Sequence, residues 1–429
     1  MPACSARCPS APRNTPRTRA TVTGPVTGPV TGPVSGPGQL AGPTRPIALG
    51  TLFLRFLRFG ALAFGGPVAQ IAMVREELVE KAGWIDGARF NRLLAVMQAL
   101  PGPEAHELCV HMGMVARGRI GGLLAGLGFM LPGFALMMLL GWIYATTIEG
   151  NAGFAPVLLG IQIAVLAVIA RAIPKIGRHI LKGHALYALA VIALAATLAG
   201  VPFWVPLIAA GVAHAAVRSA GAAVTVVGLA VLATWWMVPA PVPLANVPVS
   251  AEATLLALFG AGLKGGLLTF GGAYTAIPYV RADTVGRGWL TDGQFLDGVA
   301  LANVLPAPLV IFATFVGYVA GGPWGAIAIT LGMFLPAFAF SMLFFERLEA
   351  VIDEPRLHRL LDGMAAAAVG IIAATLVQLA LAIWPRIDAI APALAIFVFA
   401  LIAAFTIRRS WATPAIILAA GLAGWLSLG

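Results

Sequence analysis

FGGPVAQIAMVREELV at residues 64–79 returns as FGGAYTAIPYVRADTV at residues 270–285, an offset of 206. Both copies open on Phe-Gly-Gly, and both carry an arginine with an acid two places on, Arg75 with Glu77 and Arg281 with Asp283. After a slip of one residue Trp84 pairs with Trp289, Phe90 with Phe295, and ALPGP at 99–103 with VLPAP at 304–308. One further slip sets GFMLPGF at 128–134 against GMFLPAF at 332–338. So many matches in one order define an internal repeat. The chain therefore reads as a tail over 1–46, a first repeat over 47–220, a linking helix and loop over 221–249, and a second repeat over 250–429.

Composition decides which solvent these halves fold in. Hydrophobic residues make up 60% and charged residues 10%, with a mean hydropathy of +0.92, whereas soluble domains are about 25% charged. The expectation is an all-α, polytopic integral membrane protein whose partner is the lipid bilayer. A net charge of +10 would point to nucleic acid in a soluble protein. Here the basic residues flank apolar runs or sit in the tail, which membrane orientation accounts for without nucleic acid. Cys4, Cys8 and Cys109 give no disulfide framework. The tail repeats Thr-Gly-Pro-Val, cannot build a core and reads as disordered. Lacking a continuous apolar stretch before a small-residue cleavage site, it does not read as a signal peptide.

Charge also bears on how the halves are related. Arg117 and Arg119, then Arg171, Lys175, Arg178 and Lys182, mark two first-half loops as cytoplasmic. Their second-half counterparts, AGGP at 320–323 and a turn holding Arg386 alone, are nearly bare. Conversely, the first-half loops at 148–153 and 200–202 lack Lys and Arg, and their counterparts carry Arg347, Arg356, Arg359, Arg408 and Arg409. That exchange predicts an inverted repeat. Four apolar spans follow the Gly/Pro-rich region in each half, and the unmatched stretch at 221–238 supplies the odd crossing that inversion needs. The N-terminus is then cytoplasmic and the C-terminus lies on the opposite, periplasmic side.

The earlier segments of each half are short, charged and interrupted by Gly or Pro, which predicts re-entrant or broken helices. Backbone at membrane depth must satisfy its own hydrogen bonds, so broken helices survive only where they are buried or line a cavity. Matched breaks in inverted halves point to a transport site. Pro101, Gly102 and Pro103 would end one half-helix and begin the next, as would Pro306 and Pro308 in the second half. The positive N-terminal ends of the following half-helices suit an anion, and Gly65, Gly66, Gly271 and Gly272 can offer further backbone N–H groups.

FGGP with a Trp about eighteen residues on, QALPGPEA at 98–105, LPGF, and the second-half FGG with its PAP resemble the chromate ion transporter family in its long two-domain form, over 47–429. The resemblance implies a protein of the bacterial inner membrane that exports chromate driven by the proton gradient, an antiporter, with no metal or organic cofactor and no enzymatic activity. It departs from the family at PAP, where a glycine would be expected, and at His106, Glu107 and His111. Sulfate, another tetrahedral dianion, is the closest alternative substrate; assembly as a homodimer stays open.

Individual residues carry two readings each. Arg75 and Arg281 could grip an oxyanion bidentately, or pair with Glu77 and Asp283, or reach the interface. Glu104, in the first turn of a half-helix, could cap it, or take up a proton as the anion binds and so couple the two. Gln98 and Asn303, just before the breaks, could contact substrate or satisfy freed backbone. A zinc helix in HELCVH fails on spacing: His106 and His111 are five apart, about 140° around the axis, where four is needed. An anion channel would not require central breaks in both halves.

Overall fold

The structure, a computed structural model, describes residues 47–64, 66–99, 102–216, 219–237, 253–269, 273–343, 355–407, 409 and 411–428. The tail over 1–46, the loop after the linking helix, Gly65, Pro101, Gly271 and Gly272 lie outside the described residues. All regular structure among the described residues is helical. The first half holds α1 (Leu49–Ala61), α2 (Gly66–Val74, continued by a wider turn over Arg75–Lys81), α3 (Gly87–Ala99), α4 (Glu104–Ile143), α5 (Ala155–Ile180), α6 (His184–Leu198) and α7 (Trp204–Ala216). After the linking helix α8 (Ala220–Met237) come α9 (Leu255–Leu267), α10 (Ala276–Thr284), α11 (Asp292–Val304), α12 (Phe312–Leu343), α13 (Pro355–Ile383), α14 (Ile390–Thr406) and α15 (Ala412–Ser427).

Local sequence explains the edges. On α1, Leu52, Phe56 and Phe59 recur at helical spacing and are buried, while Arg55 and Arg58 take the other face. Thr291 and Gln294 close a reciprocal capping box at the start of α11, which satisfies two otherwise orphaned N–H groups. Four stretches among the described residues, Glu104–Ile148, Ala155–Arg178, Leu309–Leu343 and His358–Arg386, are long and apolar enough to cross a membrane.

Two of these stretches fold back on themselves. At Arg117 (φ −147°, ψ 28°) and Gly118 (φ 60°, ψ −155°) α4 reverses, and Gly321 (φ −151°, ψ 24°) with Gly322 (φ 63°, ψ −161°) repeats that turn in α12. The positive φ explains a glycine at the second position of each turn. On either side the legs run antiparallel in close contact. His106 Nε2 lies 3.2 Å from the Gly126 carbonyl, Gly113 abuts Gly121, and in the second half Thr314 and Thr330 share a 2.7 Å hydrogen bond. Residues 104–116 (α4a) are thus a short leg folded back against 119–143 (α4b), and 312–320 (α12a) against 323–343 (α12b).

The halves interlock by exchange. α5 packs on α14 and α15 of the other half, and its counterpart α13 packs on α6 and α7. Glycines permit both crossings: a β-carbon at Gly160 would lie 2.9 Å from the Gly424 Cα, and one at Gly370 would lie 2.9 Å from the Ala190 carbonyl carbon. Counterpart helices run antiparallel. Gln162, near the start of α5, meets Arg386 just beyond the end of α13 at 3.1 Å, while Gly177, near the end of α5, faces Val369 in the middle of α13. Likewise α4b meets Ile311 at Gly133 and Tyr318 at Gly141, running parallel to α12a and so antiparallel to α12b. An axis lying in the membrane plane relates halves in this way; one along the membrane normal would leave counterparts parallel.

Two expectations follow. Reporter fusions after Lys182 and after Arg386 should report opposite sides of the membrane; the same side for both would mean parallel repeats. Gly160→Val or Gly370→Val, each pressing a side chain onto the facing helix, should cost about 1–3 kcal/mol, read as a lower melting temperature of the detergent-purified protein.

Candidate functional site

The breaks of the two halves meet each other. Gly102, at φ 146°, donates its N–H to the Thr269 carbonyl at 2.9 Å, so the first-half Pro-Gly-Pro break is tied to the residue preceding the second-half Phe-Gly-Gly. The reciprocal tie is made by a side chain. Gln70 Nε2 donates to the Ala63 carbonyl at 2.9 Å and to the Ala307 carbonyl at 3.0 Å, joining the residue before the first Phe-Gly-Gly to the second-half Pro-Ala-Pro. The later proline motifs then cover these joints crosswise: a β-carbon at Gly102 would lie 3.3 Å from the Ala337 methyl, and Gly133 packs directly on Ala307. LPAF of one half seals the break of the other, and LPGF does the same in return.

Each break opens a helix. Pro103, extended at φ −74° and ψ 103°, precedes α4a, and its carbonyl accepts from the His106 and Glu107 N–H groups at 2.8 and 3.0 Å. Glu104 stands in the first turn of that leg at 9% exposure. Pro306 and Ala307 are buried, and Pro308 leads into a short 3-10 turn, Leu309–Ile311, and then α12a. Gly66 begins α2 and Gln98 lies in the last turn of α3, its side chain outside the described set. Asn303 donates from Nδ2 to the Val299 carbonyl at 2.8 Å and accepts from the Tyr274 hydroxyl at 3.4 Å, so in this structure it satisfies helix backbone just before the second break.

The paired arginines sit elsewhere. Arg75 donates to Glu80 Oε1 at 3.2 Å and Asn91 Oδ1 at 3.3 Å, with its side chain 44% exposed. Arg281 forks onto Asp292, Nε to Oδ1 at 2.6 Å and a terminal nitrogen to Oδ2 at 3.0 Å, and also reaches Gln378 at 3.0 Å. The acids that pair are therefore Glu80 and Asp292, in place of Glu77 and Asp283. Asp292 aligns with Gly87, which lies beside the Arg75 guanidinium; lacking a carboxyl there, the first half leaves its arginine open to solvent.

Glu77 and Asp283 take part in a second repeated motif. Arg58, Glu77 and Lys81 recur as Lys264, Asp283 and Arg287 at the same offset of 206. Lys81 bonds Glu77 at 2.7 Å and Glu76 at 2.8 Å, which raises the lysine above its ordinary pKa and lowers Glu77 below its own. Lys264 bonds Asp283 at 3.0 Å, with Arg287 at 3.8 Å. A groove of about 470 Å³ lined by Arg55, Arg58, Glu77 and Lys81 opens at the first cluster, away from the breaks.

Two residues that matter here, Gln70 and Asp297, escape sequence reasoning, and a third, Glu107, stands there only as a departure from the family and as a coupling candidate behind Glu104. Gln70 faces Ala276 in the repeat alignment, and a polar residue opposite an apolar one inside a matched segment was the available signal. Asp297, 2% exposed, accepts from the Tyr144 hydroxyl at 2.9 Å and Gln162 Nε2 at 2.8 Å, tying second-half α11 to first-half α4 and α5. Glu107, in the rejected zinc motif, is fully buried at the first break.

Broken helices from two antiparallel halves, joined through their backbones inside a set of apolar spans, define a polytopic membrane protein of the duplicated transporter class. The chain matches the family described as Chromate transporter over residues 50–215 and 256–425 and belongs to it. It is 53% identical to a chromate transport protein of Pseudomonas aeruginosa over 387 residues, 89% of this chain and 93% of that one. It is 30% identical to a chromate transport protein of Cupriavidus metallidurans over 346 residues, 77% of this chain and 82% of that one. A probable chromate transport protein of Synechococcus elongatus is 30% identical over 381 residues, 86% of this chain and 93% of its own. No solved structure matches the chain.

Replacing Gln70 with leucine strips a donor from both the Ala63 and Ala307 carbonyls. Each orphaned carbonyl costs roughly 1–3 kcal/mol, so Gln70→Leu should lower the thermal stability of the purified protein more than Gln70→Glu, whose protonated carboxyl can still donate one bond.

Proposed function

We propose that this protein exports chromate from the bacterial cytoplasm across the inner membrane, powered by the proton-motive force, and that the oxyanion binds where the breaks of the two halves meet. The observation that carries the reading is the pair of cross-half ties, Gly102 to Thr269 and Gln70 to Ala307. They bring the starts of two half-helices, α4a and α12a, to the joint between the halves, where positive helix ends and glycine backbone can replace an oxyanion's hydration. Gly66, Gly102, Pro103, Pro306 and Pro308 shape that cradle, with Gln98 and Asn303 at its edge; Gly65, Pro101, Gly271 and Gly272, outside the described residues, are assigned to it from the sequence alone. Arg75, solvent-exposed, suits a first encounter with the anion; Arg281 would have to release Asp292 before gripping it. Glu104, at the mouth of the first half-helix, is one coupling carboxyl of this scheme.

The test is uptake of labelled chromate into inverted vesicles, with sulfate and molybdate as competitors and an uncoupler as control. Chromate accumulation that collapses with the uncoupler is the expected outcome. Preferential accumulation of sulfate, the second tetrahedral dianion, would move the substrate assignment. Leucine at Gly102 or Pro103, and separately at Pro306 or Pro308, should abolish uptake while the protein remains in the membrane. Arg75→Lys should weaken uptake about tenfold despite the retained charge, because an ammonium lacks the planar two-donor fork. Glu104→Gln should keep chromate exchange and lose its dependence on a pH gradient.

A further inference from the structure

HELCVH contributes a carboxyl that the oxyanion cradle leaves unused. Glu107 lies one turn inside α4a and is 0% exposed. Its carboxyl rests against the first break: a β-carbon placed on Gly102 would come within 3.0 Å of the Glu107 carboxyl carbon. Neither carboxyl oxygen has a hydrogen-bond partner among the described residues. Contact with α12b runs instead through the Glu107 backbone, whose carbonyl accepts from the Ser341 hydroxyl at 3.4 Å. The buried carboxyl of Asp297 is treated quite differently, with a donor on each oxygen. Taking a bare carboxylate out of water without hydrogen bonds is costly, and ionisable groups kept inside a membrane mark ion or proton pathways.

We infer that Glu107 is a proton-binding site at the first break and that its proton crosses the membrane together with the oxyanion, in the same direction. The inference rests on the oxyanion site proposed above. An ionised Glu107 would repel a dianion held at Gly102 and Pro103; a protonated one does not. Whatever factor the proton adds to anion affinity, the anion adds to proton affinity. The two ligands therefore occupy the break together, whereas antiport requires that each exclude the other. The step balances simply: the carboxylate takes one proton from water on the loading side, forming an O–H bond, and returns it to water on the far side. A dianion with one proton carries net negative charge, so a potential negative inside drives it outward. Export is then powered by the potential, against the pH difference.

The surroundings fit a proton better than a metal cation. Glu104 stands one turn before Glu107 and His111 one turn after, both on α4a. His106 is turned toward the Gly126 carbonyl and the rings of Phe334 and Phe338. α12 has no charged side chain along its whole length and offers Ala337 and Ser341. α9 carries Lys264 as its charged residue, bonded to Asp283, and leads to the Thr269 carbonyl that holds Gly102. α3 brings Arg89 and Arg92. A cation such as Na⁺ would need several oxygen ligands around the carboxyl, and neither Glu107 carboxyl oxygen has a polar partner among the described residues.

The experiment uses the full chain in proteoliposomes with an internal pH dye, the potential clamped at zero and chromate added outside. Chromate entry by the parent should acidify the interior; alkalinisation, an absent pH change, or a requirement for Na⁺ over choline would overturn the inference while leaving chromate transport intact. Absence of any chromate flux in the parent would instead remove the transport reading beneath it. In Glu107→Gln, chromate-for-chromate exchange should persist while the proton flux per chromate falls at least about tenfold; an undiminished ratio overturns the assignment. If that variant does not exchange, Glu107→Asp decides: proton-coupled flux with a displaced pH midpoint supports the site, and an unchanged pH profile refutes it.

Discussion

Backbone that leaves a helix inside hydrocarbon must find hydrogen-bond partners within the protein, and everything else in this fold depends on how that demand is met. Each half breaks its own helices and leaves the repair to the other half. The Gly102 N–H is satisfied by Thr269, and the carbonyls of Ala63 and Ala307 by Gln70. Two of these ties cross between the halves, Gly102 to Thr269 and Gln70 to Ala307, and the third, Gln70 to Ala63, anchors the bridging glutamine in its own half. The proline motifs that follow reinforce the dependence, since Ala337 lies over the first break and Gly133 over the second. A substrate placed at the joint is therefore held by both halves together, so motion of one half against the other would change its surroundings at once.

The two halves meet this shared demand unequally. A direct backbone hydrogen bond joins Gly102 to the opposite half, whereas a glutamine side chain bridges the equivalent gap at Ala307. Arg281 has Asp292 to occupy its fork; Arg75 has Gly87 at the matching position and is left half exposed. The buried carboxyl Glu107 belongs to the first break, and the matched position near the second carries no acid. The repeated scaffold is shared, and the open arginine and the buried carboxyl without a hydrogen-bond partner among the described residues both lie in the first half.

Exchange of helices keeps the halves together outside the joint. α5 lies among the terminal helices of the second half and α13 among those of the first. Between apolar helices in lipid there is little hydrophobic drive to associate, so close backbone approach over small residues does the holding. Gly160 against Gly424, and Gly363 and Gly370 against Ala210 and Ala190, supply it. The Tyr144–Asp297–Gln162 network, fastened to Arg386, adds buried polar bonds across the same seam.

The sequence by itself determined the solvent, the helical class, the two halves, the positions of the breaks and the turn at Arg117 that separates a short leg from a long span. Those features are written in local chemistry: apolar length, glycine and proline, and motifs matching at a near-constant offset. The short legs could be read only as either crossing or re-entrant, because length and breaks do not say where a chain turns in space. The tertiary structure decided that α4a and α12a fold back, that α5 and α13 change places, and that Arg75 and Arg281 bond to Glu80 and Asp292 instead of the acids two residues on. Gln70 looked like one polar residue in an apolar run, and Glu107 like part of a failed zinc motif. Their meaning lies in partners more than two hundred residues away, Ala307 for one and Ser341 for the other, and such proximity is set by packing between halves, which no spacing along the chain encodes.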